Sequence, residues 1–300
     1  MIARRQMMLL AAAALATPGR AATVLDWQGR GLGGALSLRL VGADPAQGPR
    51  LFRRVEAEVE RIESLFSLHR DSALTRLNRD GRLAHPTPEM LQVLALAGAV
   101  HQATGGLFDP TVQPLWRALA EGDDPAPARA RIGWDRVEIG PEEVRLGPGM
   151  ALTLNGIVQG WAADRIAALV RAAGFQDVLI DMGEIAALGR RPDGRAWQAG
   201  IATPGGEQIG TAALSDRALA TSAPFGSPLG GAGGPHILGP KGEAPQWETV
   251  SISAPQAAVA DALSTECCLL PRDGIDRAVS AFPGARLELA RPFDRTFLPN

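Results

Sequence analysis

In the stretch Val259-Ala260-Asp261-Ala262-Leu263-Ser264-Thr265, followed by Cys267, Cys268, Leu269 and Leu270, a carboxylate and a hydroxyl stand four residues apart in apolar surroundings. A helix places positions i and i+4 on one side, so Asp261 and Thr265 can aim oxygens at one point. Burying a lone carboxylate there is costly unless positive charge sits beside it. A hard cation with oxygen ligands, Mg²⁺ or Ca²⁺, would satisfy both groups. The structural alternative has Asp261 interacting with its own helix start and Thr265 bonding back to the preceding turn.

Three other stretches could join this pair. Leu154-Asn155-Gly156-Ile157-Val158-Gln159-Gly160 runs from a strand into a helix. Its glycines allow a ligand close to backbone, and free N–H groups at a helix start suit a phosphate. The alternative is a tight strand–helix turn. Thr104-Gly105-Gly106-Leu107-Phe108-Asp109-Pro110-Thr111 holds Asp109 before a proline, where it is a binding residue or simply a helix N-cap. His236-Ile237 follows the Gly-rich loop after Thr221-Ser222-Ala223, and His236 is either functional or a core histidine.

These groups need a scaffold. Leu51, Phe52, Val55, Val59, Ile62 and Leu65 recur at helical spacing over 49–66, and further helices are predicted over 88–104, 157–173 and 273–282. Glycines at 105, 106 and 174 mark two of the helix ends. Strands are predicted at 24–27, 35–41, 137–139, 144–146, 151–154, 177–181, 186–188, 197–201, around Leu214, and at 218–221, 250–253 and 286–289. Residues 123–131 read as a loop with a short helix. Strands clustered around a few long helices, without regular alternation, indicate an α+β fold.

A chain of 300 residues, 46% of them hydrophobic, can bury a substantial core. The net charge of -2 argues against nucleic-acid binding. Cys267 and Cys268 are sequence neighbours in a helix and point apart, so they are expected as free buried thiols. Arg4-Arg5, the apolar run 7–16 and the small residues near Ala21-Ala22 read as an export leader over 1–21, of the twin-arginine type, with ordinary secretion the alternative. The expected location is therefore the periplasm. No later segment is long and apolar enough to predict a membrane span.

In order along the chain, these stretches resemble the flavin transferase family named for ApbE. Its members split FAD and attach FMN through the phosphate to a Thr or Ser of another protein. The resemblance covers nearly all of 22–300, from Phe66-Ser67 through Ser72 and Asn78 to the 260s. It is carried by Gly106-x-Phe108-Asp109-Pro110-Thr111, Gly160-x-Ala162-x-Asp164, Thr221-Ser222, His236-Ile237 and Ala260-Asp261-Ala262-Leu263-Ser264-Thr265.

The resemblance implies the ApbE-like fold, with mixed or antiparallel sheets and packed helices. It implies Mg²⁺ held by Asp261, Thr265 and the Gly156 carbonyl, with FAD as substrate. Thr153 and Gln159 would contact FAD, Leu107, Phe108 and Asp109 would line its adenosine side, and Ile237 would border it. His69 stands where the family carries a Tyr, against a flavin or adenine ring. His236 is the candidate proton acceptor, with an Asp near the metal as alternative. The partner is an acceptor flavoprotein with a periplasmic Thr or Ser site.

Departures from the family pattern are Gln159 for a charged residue, Ala223 for Gly, Gly239 for Asp and Glu184 for a second Gly. The Asn-Gly-Ile-x-Gln-Gly and Gly-Glu forms resemble the NosX-like branch that accompanies nitrous-oxide reductase maturation. A non-catalytic FAD-binding accessory protein and an FAD pyrophosphatase are the alternatives.

Overall fold

The computed structural model describes residues 23–231 and 233–294, and the leader assigned to 1–21 lies outside them. Strands β1 (Val24–Gly31) and β2 (Gly34–Val41) form a hairpin, followed by helices α1 (Gly48–Phe66) and α2 (Ala73–Asp80). Strand β3 (Arg82–Ala84) and helices α3 (Pro88–Ala103), α4 (Gln113–Glu121) and α5 (Pro125–Arg129) come next. Short strands β4 (Glu138–Ile139) and β5 (Glu143–Arg145) precede helix α6 (Val158–Ala172). Then come β6 (Val178–Asp181), β7 (Ile185–Leu188), β8 (Trp197–Ala202), β9 (Gln208–Leu214), β10 (Arg217–Ser222) and β11 (Thr249–Ala254). Helices α7 (Ala257–Cys267) and α8 (Arg272–Ser280) and strand β12 (Arg286–Arg291) complete the order.

The main sheet runs β1-β2-β6-β7-β10-β11-β12, and every neighbouring pair is antiparallel. On one face, Leu36, Leu38 and Leu40 of β2, Val178 and Ile180 of β6, and Val250 and Ile252 of β11 join the helices in one core. The other face carries Leu219, Ala187 and Leu289 against the β8–β9 hairpin, whose Trp197, Ile201 and Leu214 are buried. Alternate residues therefore feed two layers, as the strand period requires. This is the α+β arrangement that the sequence predicts.

Helix α1 buries the stripe Leu51, Val55, Val59, Ile62 and Leu65, matching its helical spacing. Helix α7 is buried on nearly every side, with Ala258, Ala260, Ala262, Leu263 and Cys267 all in the core. Its small side chains let it approach both α6 and the β10–β11 strands, and it packs against each of them.

Three elements carry no clear apolar pattern and are found only in the structure: α2, β3 and α4. Helix α2 starts on a capping box between Ser72 and Thr75, and buries Leu74 and Leu77. One predicted strand is corrected. Residues 151–154 are extended but pair with no strand. Instead Asn78 donates to Leu152 O at 2.8 Å and accepts from Leu152 N at 2.7 Å, while Thr153 N donates to Pro110 O at 2.8 Å. A side-chain amide thus takes the place of a ladder partner.

Candidate active site at the α6–α7 junction

The apolar stretch with one carboxylate forms α7, and Asp261 lies in its interior, 2% exposed. The helix start belongs to another residue. Asp164 of α6 accepts from Ala257 N at 2.8 Å and from Ala258 N at 3.0 Å, so it caps α7 from 93 residues away. This corrects the reading of Asp261 as a group serving its own helix start. Burial pushes the Asp164 carboxyl up to about 6, against the opposing pull of the two backbone N–H groups.

Asp261 points instead toward the glycine elbow. Its Oδ2 accepts from Gly160 N at 2.9 Å. Gly160 is obligatory there, because a Cβ would lie 2.3 Å from Ala257 O. The motif Gly160-x-Ala162-x-Asp164 is thereby explained. Gly160 lets α6 meet the α7 backbone, and Asp164 receives the α7 start one turn later.

Thr265 lies beside Gly156, whose Cβ, if present, would come within 3.1 Å of the Thr265 Oγ1. The Ser222 Oγ at the end of β10 stands 3.4 Å from Thr265 Oγ1 and 2.8 Å from Ser264 Oγ. Ser264 Oγ bonds back to the preceding turn, donating to Asp261 O at 3.0 Å. Asp261 on Gly160 N and Thr265 beside Gly156 both face the glycine elbow.

The chemistry of this set is all oxygen, which suits a hard cation. Among the described residues no group of three or more His, Cys, Asp and Glu side chains could hold a metal. A cation here would have to rely on one carboxylate, one hydroxyl, main chain and oxygens brought by the ligand.

The remaining predicted residues differ in depth and in what holds them. Gln159 donates its amide to Leu32 O at 3.0 Å, at the tip of the β1–β2 hairpin. Thr153 is anchored through its N–H to Pro110, the neighbour of Asp109, so those two stretches meet. Asp109 caps the short turn 110–112, its Oδ1 accepting from Thr111 N at 2.8 Å and from Thr111 Oγ1 at 2.6 Å. Its Oδ2 accepts from Trp134 N at 3.3 Å. The N-cap reading of Asp109 therefore holds, whatever it also presents to a ligand.

Phe108 is buried and held by Thr104 Oγ1 and by His101 Nδ1, while Leu107 is partly buried against the core. Ile237 is buried, and His236 N donates to Pro224 O at 2.8 Å, closing the Gly-rich loop two residues beyond Ser222. His69 is exposed, with its N–H on Ser67 Oγ at 3.1 Å.

Two of the departures now have physical settings. A side chain at Gly239 would run into the Glu243 carboxylate, 2.3 Å from where its Cβ would stand. Glu184 is buried and accepts from Thr221 N at 3.3 Å.

The expectation that α7 carries one carboxylate and one hydroxyl among apolar residues needs correction, since Ser264 and Glu266 are buried as well. Burial, then the charges of Glu243 and Asp109, hold the Glu266 carboxyl well above the usual range. Cys267 and Cys268 are free and buried, as expected, and burial raises both thiols so that they stay protonated.

Sequence reasoning missed Leu32, a non-glycine residue with φ of 52° between glycines, and Glu63, which holds it. The signal was the run Gly31-Leu32-Gly33-Gly34 between two strands. A groove of about 920 Å³ between α4 and the 145–151 segment contains none of the predicted site residues, so cavity size does not mark this centre.

The ApbE family model matches residues 32–286. The chain is 26% identical over 283 residues to the FAD:protein FMN transferase of Klebsiella pneumoniae, covering 85% of this chain and 80% of that protein. It is 29% identical over 263 residues to the transferase of the same name from Treponema pallidum, covering 75% and 73%. Among solved structures, the flavin transferase ApbE of Vibrio cholerae superposes with a TM-score of 0.75 at 22% identity, over 86% of this chain and 91% of that one. The ApbE protein of Thermotoga maritima gives 0.76 at 23% identity, over 92% and 98%. These likenesses show a shared fold, and the match of the family model over most of the length shows that this chain belongs to the ApbE family.

Proposed function

We propose that this chain is an FAD:protein FMN transferase that uses Mg²⁺ and acts on an exported flavoprotein. The observation that carries the proposal is the Asp261–Thr265–Gly156 elbow, in a chain whose curated relatives are named for that activity. Asp261, Thr265 and the Gly156 main chain would hold Mg²⁺. The ion would supply charge neutralisation on the pyrophosphate, which is most of what phosphoryl transfer requires.

The chain's own residues then bind and orient. At the start of α6 the N–H groups of Ile157 and Val158 are held by Leu154 O and that of Gly160 by Asp261, so Thr153 and Gln159 would make the contacts to FAD there. Leu107 to Asp109 and Ile237 border the dinucleotide, and His69 offers an exposed ring for stacking. A hydroxyl of the acceptor protein attacks the phosphorus on the FMN side. The P–O bond to AMP breaks, and the hydroxyl proton passes to a base, for which His236 is the candidate. Products are AMP and an acceptor esterified through the FMN phosphate.

A twin-arginine leader over 1–21 would put this reaction in the periplasm, and the NosX-like features favour an acceptor serving nitrous-oxide reduction. Incubation with FAD, Mg²⁺ and a periplasmic acceptor domain should leave a fluorescent band on a denaturing gel, one that EDTA abolishes. Release of free FMN without a band would point to a pyrophosphatase, and intact FAD on a yellow protein to an accessory role.

A further inference from the structure

We infer that Glu63 is a positioning residue for FAD binding, clamping the β1–β2 hairpin tip to the loop that carries His69; the inference rests on the function proposed above. Glu63 lies in the last turn of α1, where a carboxylate meets the negative end of the helix dipole. Its backbone carbonyl ends that helix by accepting from Ser67 N at 3.0 Å. The unfavourable placement is offset by two contacts on separate oxygens, one of them across 31 residues. Oε1 accepts from Leu32 N at 2.9 Å, and Oε2 from Arg70 at 3.1 Å.

Each contact reaches a different wall of the site. Leu32 is held in the left-handed region at φ 52°, a conformation that persists only where the surroundings over-determine it. Here both its polar backbone groups are bound by side chains, N–H by Glu63 and C=O by Gln159 at 3.0 Å. The hairpin tip is thus fixed between the end of α1 and the start of α6. On the other side, Arg70 adjoins His69, and its guanidinium also pairs with Glu60. The loop is tied further by His69 N on Ser67 Oγ and by Ser72 Oγ donating to Ser67 O at 2.7 Å. One carboxylate therefore fixes the separation of the tip that meets Gln159 and the loop that presents His69.

The test compares wild type with Glu63→Ala and Glu63→Gln. The Ala variant should raise KM for FAD about tenfold with kcat within about twofold, the pattern of lost binding that is uniform between ground and transition states. Hydrogen exchange at the Leu32 amide should accelerate in the same variant. Glu63→Gln keeps an acceptor for Leu32 N and should restore slow exchange and most of the affinity. A folded Glu63→Ala protein with wild-type KM, or with unchanged Leu32 exchange, would overturn the inference while leaving the function intact. Wild type that neither binds nor turns over FAD would overturn the proposed function, and this inference with it.

Discussion

The α6–α7 junction and the rim around it are built by opposite rules. At the junction each polar atom has a dictated place: Gly160 against Ala257, Asp164 on two α7 N–H groups, Asp261 on Gly160 N. At the rim, His69 is exposed, and His236 N bonds Pro224 O across the Gly-rich loop. On the function proposed above, the difference teaches that core packing would pre-organise the pyrophosphate end of the site. The end proposed to bind a ring and accept a proton would be set by loops and their anchors.

The sharpest way to break this contrast is Asp261. Asp261→Ala should lower AMP release by about a thousandfold, since losing the hold on Mg²⁺, and with it charge neutralisation on the phosphates, is worth several kcal/mol. Asp261→Asn keeps an acceptor for Gly160 N but loses the charge, and should be nearly as inactive while melting close to wild type. If the folded Ala variant turns over normally, the carboxylate is only structural.

Next in size is Gly160→Ala, where the added methyl meets a backbone carbonyl that cannot rotate away. Urea unfolding should show a loss of about 3 kcal/mol, at the upper end for overpacking. An unchanged midpoint would mean that the two helices have slack. His236→Ala, a rim change, should instead leave stability near wild type and reduce turnover about a hundredfold, as expected for a lost general base. Equal turnover would pass that role to another group.

The smallest effect concerns Asp164. Asp164→Ala should cost about 1–2 kcal/mol as a lost N-cap. Its folded carboxyl is raised to about 6 from 3.8, so the folded state binds more protons between those values. Stability carried by Asp164 is therefore full below about pH 4 and falls as pH rises through about 6. The unfolding free energy measured across that window should decline with pH in wild type and more shallowly in Asp164→Asn. A steeper decline in the variant would refute the assignment.

Much of the junction was legible because its signals are local. The i, i+4 pair in α7, the glycine elbow and the 3.6-residue stripe of α1 are properties of short windows, and short windows fix helices. Residues 151–154 misled because an extended apolar run looks the same whether a strand or an Asn78 amide satisfies it. Helix α2 was hidden for the opposite reason. Its start lies in a capping box, and only Leu74 and Leu77 show an apolar face.

What the sequence determined by itself was the identity of the oxygens, the helices that carry them, the small residues that let those helices meet, and the family. Only the tertiary structure decided which distant groups complete them. The carboxylate that starts α7 comes from α6, the N–H that orients Asp261 lies 101 residues away, and the Leu32 tip is held from two different helices. Periodicity and turn chemistry act within a few residues of chain. Pairings across a hundred residues exist only once the sheet and helices have closed around a common core.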